Sequence, residues 1–303
     1  MADSRFDVAT IGNAIVDIIT RSDDKFLQDQ ELIKGAMTLI DAGRASCLYR
    51  KMGPAIEASG GSAANTAAGV AYDTPQETGG PPTARSLIFV TPDAQRTMQT
   101  YLGACLNLTP ADVDPDTIKG SKVVYLEGYL WDPPQAKEAF LQAARIAHGA
   151  DRKVALTLSD SFCVERHRAS FRDLVEHHID ILIANEAEIC SLWQVDSFDA
   201  ALQATRGKCE VAALTRSEKG AVIFADGEVH VVDAVKVEKV VDTTGAGDLF
   251  AAGFLHGYTA GYNLFDAGRI GAIAAAEVIS HIGPRPQTRL ADLLPADLRS
   301  PVR

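Results

Sequence analysis

From about residue 120 onward, short β-branched apolar runs alternate with helical patterns, and this rhythm restricts the possible folds more tightly than composition does. The runs are Val123–Leu126, Val154–Leu158, Ile179–Ile183, Val211–Leu214 and Ala221–Phe224. Helical spacing falls between and beside them at Pro134–His148, Ser170–His177, Glu186–Trp193 and Phe198–Thr205. Continuous apolar runs of this kind suit strands buried on both faces. The pattern therefore predicts an α/β fold with a mostly parallel central sheet covered by helices on both sides.

The first half reads differently. After a strand at Phe6–Ile11, the segment Val16–Ile40 mixes β-forming residues with charges, and Ser86–Gly103 alternates apolar with polar residues. Half-buried strands of that type predict a small β-sheet lid, contributed by about residues 16–41 and 85–104, laid over the main sheet. Two further helices are expected at Ala246–Gly261 and Asp266–Ile282, followed by a proline-containing surface tail. No internal repeat, low-complexity tract or linker interrupts the chain, so residues 1–303 are expected to form one domain.

Composition narrows the function classes. A net charge of −11 works against an unassisted grip on a polyphosphate backbone, so no nucleic-acid partner is expected. The 5 cysteines are widely spaced and never paired as C-x-x-C, which suits a reducing cytoplasm, and the histidines show no metal-ligand spacing. The N-terminus carries acids where a secretory leader needs basic residues, and Leu249–Asn263 is too short to span a bilayer, so no membrane partner is expected. A small-molecule partner is expected instead, with the chain acting as a monomer or homodimer.

The chemistry concentrates at Asp242-Thr243-Thr244-Gly245-Ala246-Gly247-Asp248, after a valine-rich strand candidate at Val235–Val241 and at the head of a helix. Small residues there let the backbone amides of Gly245, Ala246 and Gly247 approach an anion at the positive end of the helix. The Asp248 carboxylate then lies where it can accept the proton of a hydroxyl attacking a phosphoryl group. The same heptapeptide is equally compatible with a tight turn whose aspartate complements the helix dipole. A Walker phosphate loop is absent, and Phe250 stands where a dinucleotide fingerprint needs its third glycine.

The run DTTGAGDLFAAGFL resembles the C-terminal signature of the ribokinase-like, or PfkB, carbohydrate kinase family, and Gly60-Gly61-Ser62-Ala63-Ala64-Asn65 resembles the family's N-terminal glycine-pair signature. Gly12-Asn13-Ala14-Ile15-Val16-Asp17 is similar to the first strand and turn of the adenosine kinase branch. Asn185-Glu186-Ala187-Glu188 matches the family's N-x-x-E. Thr215-Arg216-Ser217-Glu218-Lys219-Gly220 occupies the place of its nucleotide loop, with Ser217 replacing the first glycine. Arg96 looks like the lid arginine, and Leu158-Ser159-Asp160-Ser161-Phe162 resembles the segment that presents an aromatic ring to the base.

The resemblance implies a ribokinase-like three-layer α/β/α fold and an ATP-dependent kinase acting on the 5′-hydroxyl of a ribosyl nucleoside, adenosine first. Ribose or fructose kinases of the same family and a catalytically silent binding relative are the alternatives. It implies substrate contacts from Asn13, Asp17, Gly60, Gly61, Ser62, Asn65 and Phe162, catalysis by Asp248 with the Gly245, Ala246 and Gly247 amides and Arg96, and nucleotide contacts at Asn185, Glu188, Thr215 and Gly220. Mg2+ would be held indirectly through Glu188 and Asn185. Asp242 and Thr244 resemble a loop that binds a monovalent cation such as K+. After Asn65–Ala71 the family continues through another strand and helix, whereas this chain passes directly to Tyr72-Asp73-Thr74-Pro75, which implies either a missing sheet strand or an omitted segment.

Overall fold

A computed structural model describes residues 4–67, 79–225 and 227–301. The departure from the family pattern at residues 68–75 lies outside the described residues. In chain order the strands are β1 (Phe6–Ile11), β2 (Ile15–Arg21), β3 (Met37–Leu39), β4 (Ala55–Gly60), β5 (Ala84–Val90), β6 (Arg96–Tyr101), β7 (Ser121–Glu127), β8 (Lys153–Thr157), β9 (Ile181–Asn185), β10 (Val211–Thr215), β11 (Ala221–Ala225) and β12 (Glu228–Val232).

The larger sheet has 7 strands in the order β1-β7-β8-β9-β10-β11-β12. Its first five strands are parallel, and β11 and β12 join antiparallel. One face buries Val124, Leu126, Val154, Leu156, Leu182 and Leu214 against the helices Pro134–Gly149, Ser161–His177, Glu186–Trp193 and Phe198–Thr205. The other buries Val123, Tyr125, Ala155, Ile183 and Ile223 against Ala246–Ala260 and Leu264–Val278. The expected α/β architecture with helices on both faces is therefore present, because every parallel strand presents apolar side chains in both directions.

The smaller sheet has 5 strands, ordered β3-β6-β5-β2-β4. Besides the segments the sequence marks, it takes in β4, whose Ala55–Gly60 run is mostly solvent-exposed and so lacks an apolar signature. Ile18, Leu87 and Phe89 pack on one face with Leu27 and Leu48. The opposite face carries buried Asp17, Ser86 and Thr100 in neighbouring register, with the Ser86 and Thr100 hydroxyls 3.1 Å apart. The polar side of these strands thus faces inward, not to solvent as their alternation alone would suggest.

Three expected elements depart from the structure by more than two residues. Val235–Val241 is not a strand: Val235 and Val240 are exposed, and the adjacent Glu228–Val232 supplies the sheet edge instead. The helix expected to start at Ser170 begins at Ser161, capped by the Asp160 carboxylate accepting from the Phe162 amide, with non-helical backbone at His167. The helix expected to reach Ile282 ends at Val278.

Candidate active site

Loops at the C-terminal ends of β1, β7, β8, β9 and β10 converge with the head of the Ala246–Ala260 helix, the region where open α/β sheets bind ligands. Asp248 stands in the first turn of that helix. Ser62 Oγ donates to its Oδ1 at 2.6 Å and Asn65 Nδ2 to its Oδ2 at 2.8 Å, while Thr66 Oγ1 donates to its backbone carbonyl at 3.1 Å. The glycine-pair segment and the GAGD segment, distant in sequence, are thereby joined at the atoms of one carboxylate.

Among the described residues, two carboxamide oxygens in this region are buried without a partner, Asn13 Oδ1 and Asn65 Oδ1. Each is forced into that state because its own Nδ2 is committed, in Asn13 to Glu127 Oε1 at 2.6 Å and in Asn65 to Asp248. Unpaired buried acceptors are costly in a folded protein unless something donates to them. Asp17 adds a third acceptor, since among the described residues no donor bonds its carboxylate. Burial, with the nearby negative charge of Asp248, raises its carboxyl to about 7, partly offset by Arg96 and Arg285. Gly60 must lack a side chain, because a Cβ there would lie 2.1 Å from the Asp17 carboxyl carbon. Gly61 follows as the cap of the Ser62–Thr66 helix.

The loop expected to bind an anion is partly committed as well. The Ala246 amide donates to the Thr243 carbonyl at 3.2 Å, so among the described residues the amides of Gly245 and Gly247 are the ones of that trio left without a backbone partner. Arg96, at the start of β6, donates to the same Thr243 carbonyl at 2.7 Å and so already bridges the two sheets' segments. Asp242 is fully buried; its Oδ1 accepts from the Thr244 amide and hydroxyl, and its Oδ2 from the Gly283 amide. These three bonds close the loop between Asp242 and Gly283.

Asn185 and Glu188 form a reciprocal capping box. Glu188 is buried, its oxygens accepting from Asn185 N at 3.0 Å and Nδ2 at 2.5 Å, and burial raises its carboxyl to about 7. Both Glu188 oxygens are thus engaged by Asn185. Among the described residues no cluster of three or more metal-ligating side chains exists. Thr215 is the register partner of Asn185 in the sheet, so the two sequence-predicted nucleotide segments are neighbours. Ser217 adopts a left-handed backbone with φ 52°, the conformation a glycine would take more cheaply at that place. Gly220 ends the same turn, where a Cβ would lie 2.0 Å from the Val232 carbonyl oxygen.

Phe162 is 41% exposed, which separates it from the core, and among the described residues no ring contact ties it to the Asp248 group. Glu127 was not legible as a site residue. It closes an apolar run, and the one available signal was an acid at the end of an otherwise buried parallel strand.

The family of pfkB carbohydrate kinases matches over residues 57–289, and the chain belongs to that family. Its large, mostly parallel sheet and smaller sheet make the ribokinase-like fold. A structure described as a probable sugar kinase from Rhizobium etli CFN 42 is similar at 51% identity with a TM-score of 0.93, covering 96% of this chain and 100% of its own. The adenosine kinase from Sinorhizobium meliloti is similar at 50% identity and a TM-score of 0.93, covering 95% of this chain and 98% of its own. A 5-dehydro-2-deoxygluconokinase from Listeria monocytogenes is 29% identical over 184 residues, 58% of this chain; the chain spans about half the length of that relative, 56%.

Proposed function

We propose that this protein is an ATP-dependent kinase that phosphorylates the primary 5′-hydroxyl of a ribosyl nucleoside, adenosine before others. The observation that carries the reading is the set of acceptors without donors around Asp248: the oxygens of Asn13 and Asn65 and the bare Asp17 carboxylate. Such a site suits a ligand that brings hydroxyl hydrogens, as a ribose does, and repels one that brings only anionic groups. The family supports phosphoryl transfer, and the 50% identical adenosine kinase supports the nucleoside. The exposed Phe162 ring suits stacking against a base.

In this reading Asp17, Asn13 and Asn65 bind the sugar hydroxyls and orient the 5′-oxygen toward Asp248. That hydroxyl takes the place of Ser62 at the Asp248 carboxylate, which accepts its proton as the oxygen attacks the γ-phosphorus. The free amides of Gly245 and Gly247, with Arg96, face the developing charge. Glu188 and Asn185 would hold Mg2+ through water, and the ion would neutralise the phosphates of ATP. The Thr215–Gly220 turn beside Asn185 would hold the nucleotide.

A sugar acceptor is the second reading, favoured by the 51% identical probable sugar kinase. Incubation with ATP and Mg2+ against adenosine, inosine, guanosine, ribose and fructose, following ADP, tests both. Adenosine-dependent ADP release with formation of AMP supports the first. Release with ribose or fructose alone supports the second, and no release above the ATP-only rate indicates a silent binding relative.

A further inference from the structure

Strand β7 alternates strictly. Val124 and Leu126 enter one core layer, while Val123 and Tyr125 enter the other. The next residue on the Val123 and Tyr125 side is Glu127, the last of the strand and fully buried. Among the described residues no cation pairs with it. Its compensation consists of three N–H groups: Oε1 accepts from Asn13 Nδ2 at 2.6 Å, and Oε2 accepts from the Asn13 amide at 3.2 Å and the Ala63 amide at 2.8 Å. The packing leaves no slack, since a Cβ on Gly12 would stand 2.4 Å from Oε2.

A buried carboxylate without a cation is an expensive way to join two loops, and a neutral glutamine of the same shape would avoid the charge. Burial pushes the Glu127 carboxyl up to about 7 against the N–H bonds from Ala63 and Asn13; above that pH it supplies one-way bonding, because a carboxylate accepts and cannot donate. Facing it, the Asn13 carboxamide has one satisfactory orientation, nitrogen toward Glu127 and oxygen away. That oxygen is one of the two buried carboxamide oxygens with no partner among the described residues. A glutamine could donate to it and capture it.

We propose that Glu127 is a positioning residue of the acceptor site, holding the Asn13 carboxamide so that its oxygen is reserved for a substrate hydroxyl. The proposal rests on the kinase reading for the identity of that substrate. Glu127 also bonds the Ala63 amide, within the Ser62–Thr66 helix whose Ser62 and Asn65 grip Asp248, so one side chain sets the substrate-binding asparagine and the frame of the proposed base together.

Glu127→Gln keeps volume and removes the one-way constraint. The expected result is an acceptor KM raised about tenfold or more with the ATP KM within about twofold, since a ligand hydroxyl loses a prepared acceptor. In an Asn13→Ala background the same substitution should add little, as both changes act through one atom. Fully additive effects, or equal rises in both KM values, would overturn the proposal. A readout free of substrate and of folding of the variant is the wild-type Asn13 side-chain NH2 by nitrogen-15 NMR, assigned by its loss in Asn13→Asp. Protection well beyond that of the exposed Asn263 supports the clamp, and equal exchange refutes it. If no nucleoside or sugar binds wild type, the kinase reading fails while this measurement still decides for or against Glu127.

Discussion

Asn65 donates its carboxamide hydrogen to Asp248 Oδ2 across 2.8 Å, linking positions 183 residues apart. Because Ser62 holds the other oxygen at 2.6 Å, the carboxylate is fixed in orientation before any ligand arrives. Preorganisation of this kind lowers the reorganisation needed during proton transfer.

Asp248→Asn should preserve this frame in outline and remove the proton acceptor. Turnover is expected to fall roughly 10²-fold or more, with the acceptor dissociation constant changed by less than about threefold. Steady-state kinetics with adenosine, paired with calorimetric binding, checks both numbers; near wild-type turnover would remove Asp248 from the mechanism.

In the proposed reading, Asp17 links substrate binding to stability through pH. Its folded-state carboxyl, raised to about 7 chiefly by burial and then by Asp248, binds a proton that the unfolded chain releases near 4. Its contribution to stability is therefore full below about pH 4 and is lost as pH rises to about 7. Asp17→Asn should melt on the order of 5 °C higher than wild type at pH 8 and no higher at pH 4, while losing ribosyl binding at every pH. Thermal melts across that range decide the first half and calorimetry the second.

In the proposed nucleoside reading, Phe162 separates base from sugar. The ring is largely outside the core, so Phe162→Ala should cost under about 1 kcal/mol of stability. Adenosine KM should rise roughly five- to tenfold as a stacking partner is lost, whereas ribose should be unaffected. A variant with unchanged adenosine kinetics would place the base elsewhere.

Arg96 reaches from the small sheet to the Thr243 carbonyl, and Arg285 reaches back to Ser59 Oγ at 3.0 Å. If the small sheet closes as a lid, amides of β3 and β6 should gain protection from hydrogen exchange when adenosine binds, while β8 and β9 stay as they are. Arg96→Ala should lower kcat at least about tenfold and diminish that added protection. Equal exchange with and without adenosine, ribose and fructose would exclude closure.

Much of the architecture was legible because its causes are local. Apolar runs of the central strands and the helices Glu186–Trp193 and Phe198–Thr205 match the structure closely, since period and burial are written in neighbouring residues. The GAGD turn was legible for the same reason. Val235–Val241 misled because valines favour strands only where an edge is available to pair with, and β12 already occupied it. β4 was hidden because its exposed side chains carry no apolar alternation.

By itself, then, the sequence determined the α/β class, the two signature segments and the candidate acid, all properties of contiguous residues. Only the tertiary structure decided which way the Asn13 and Asn65 carboxamides face, and that Glu127 bonds both Asn13 and the Ala63 amide. Those outcomes depend on hydrogen bonds between residues far apart in the chain. Their donors and acceptors are chosen by packing, and no local pattern encodes the choice.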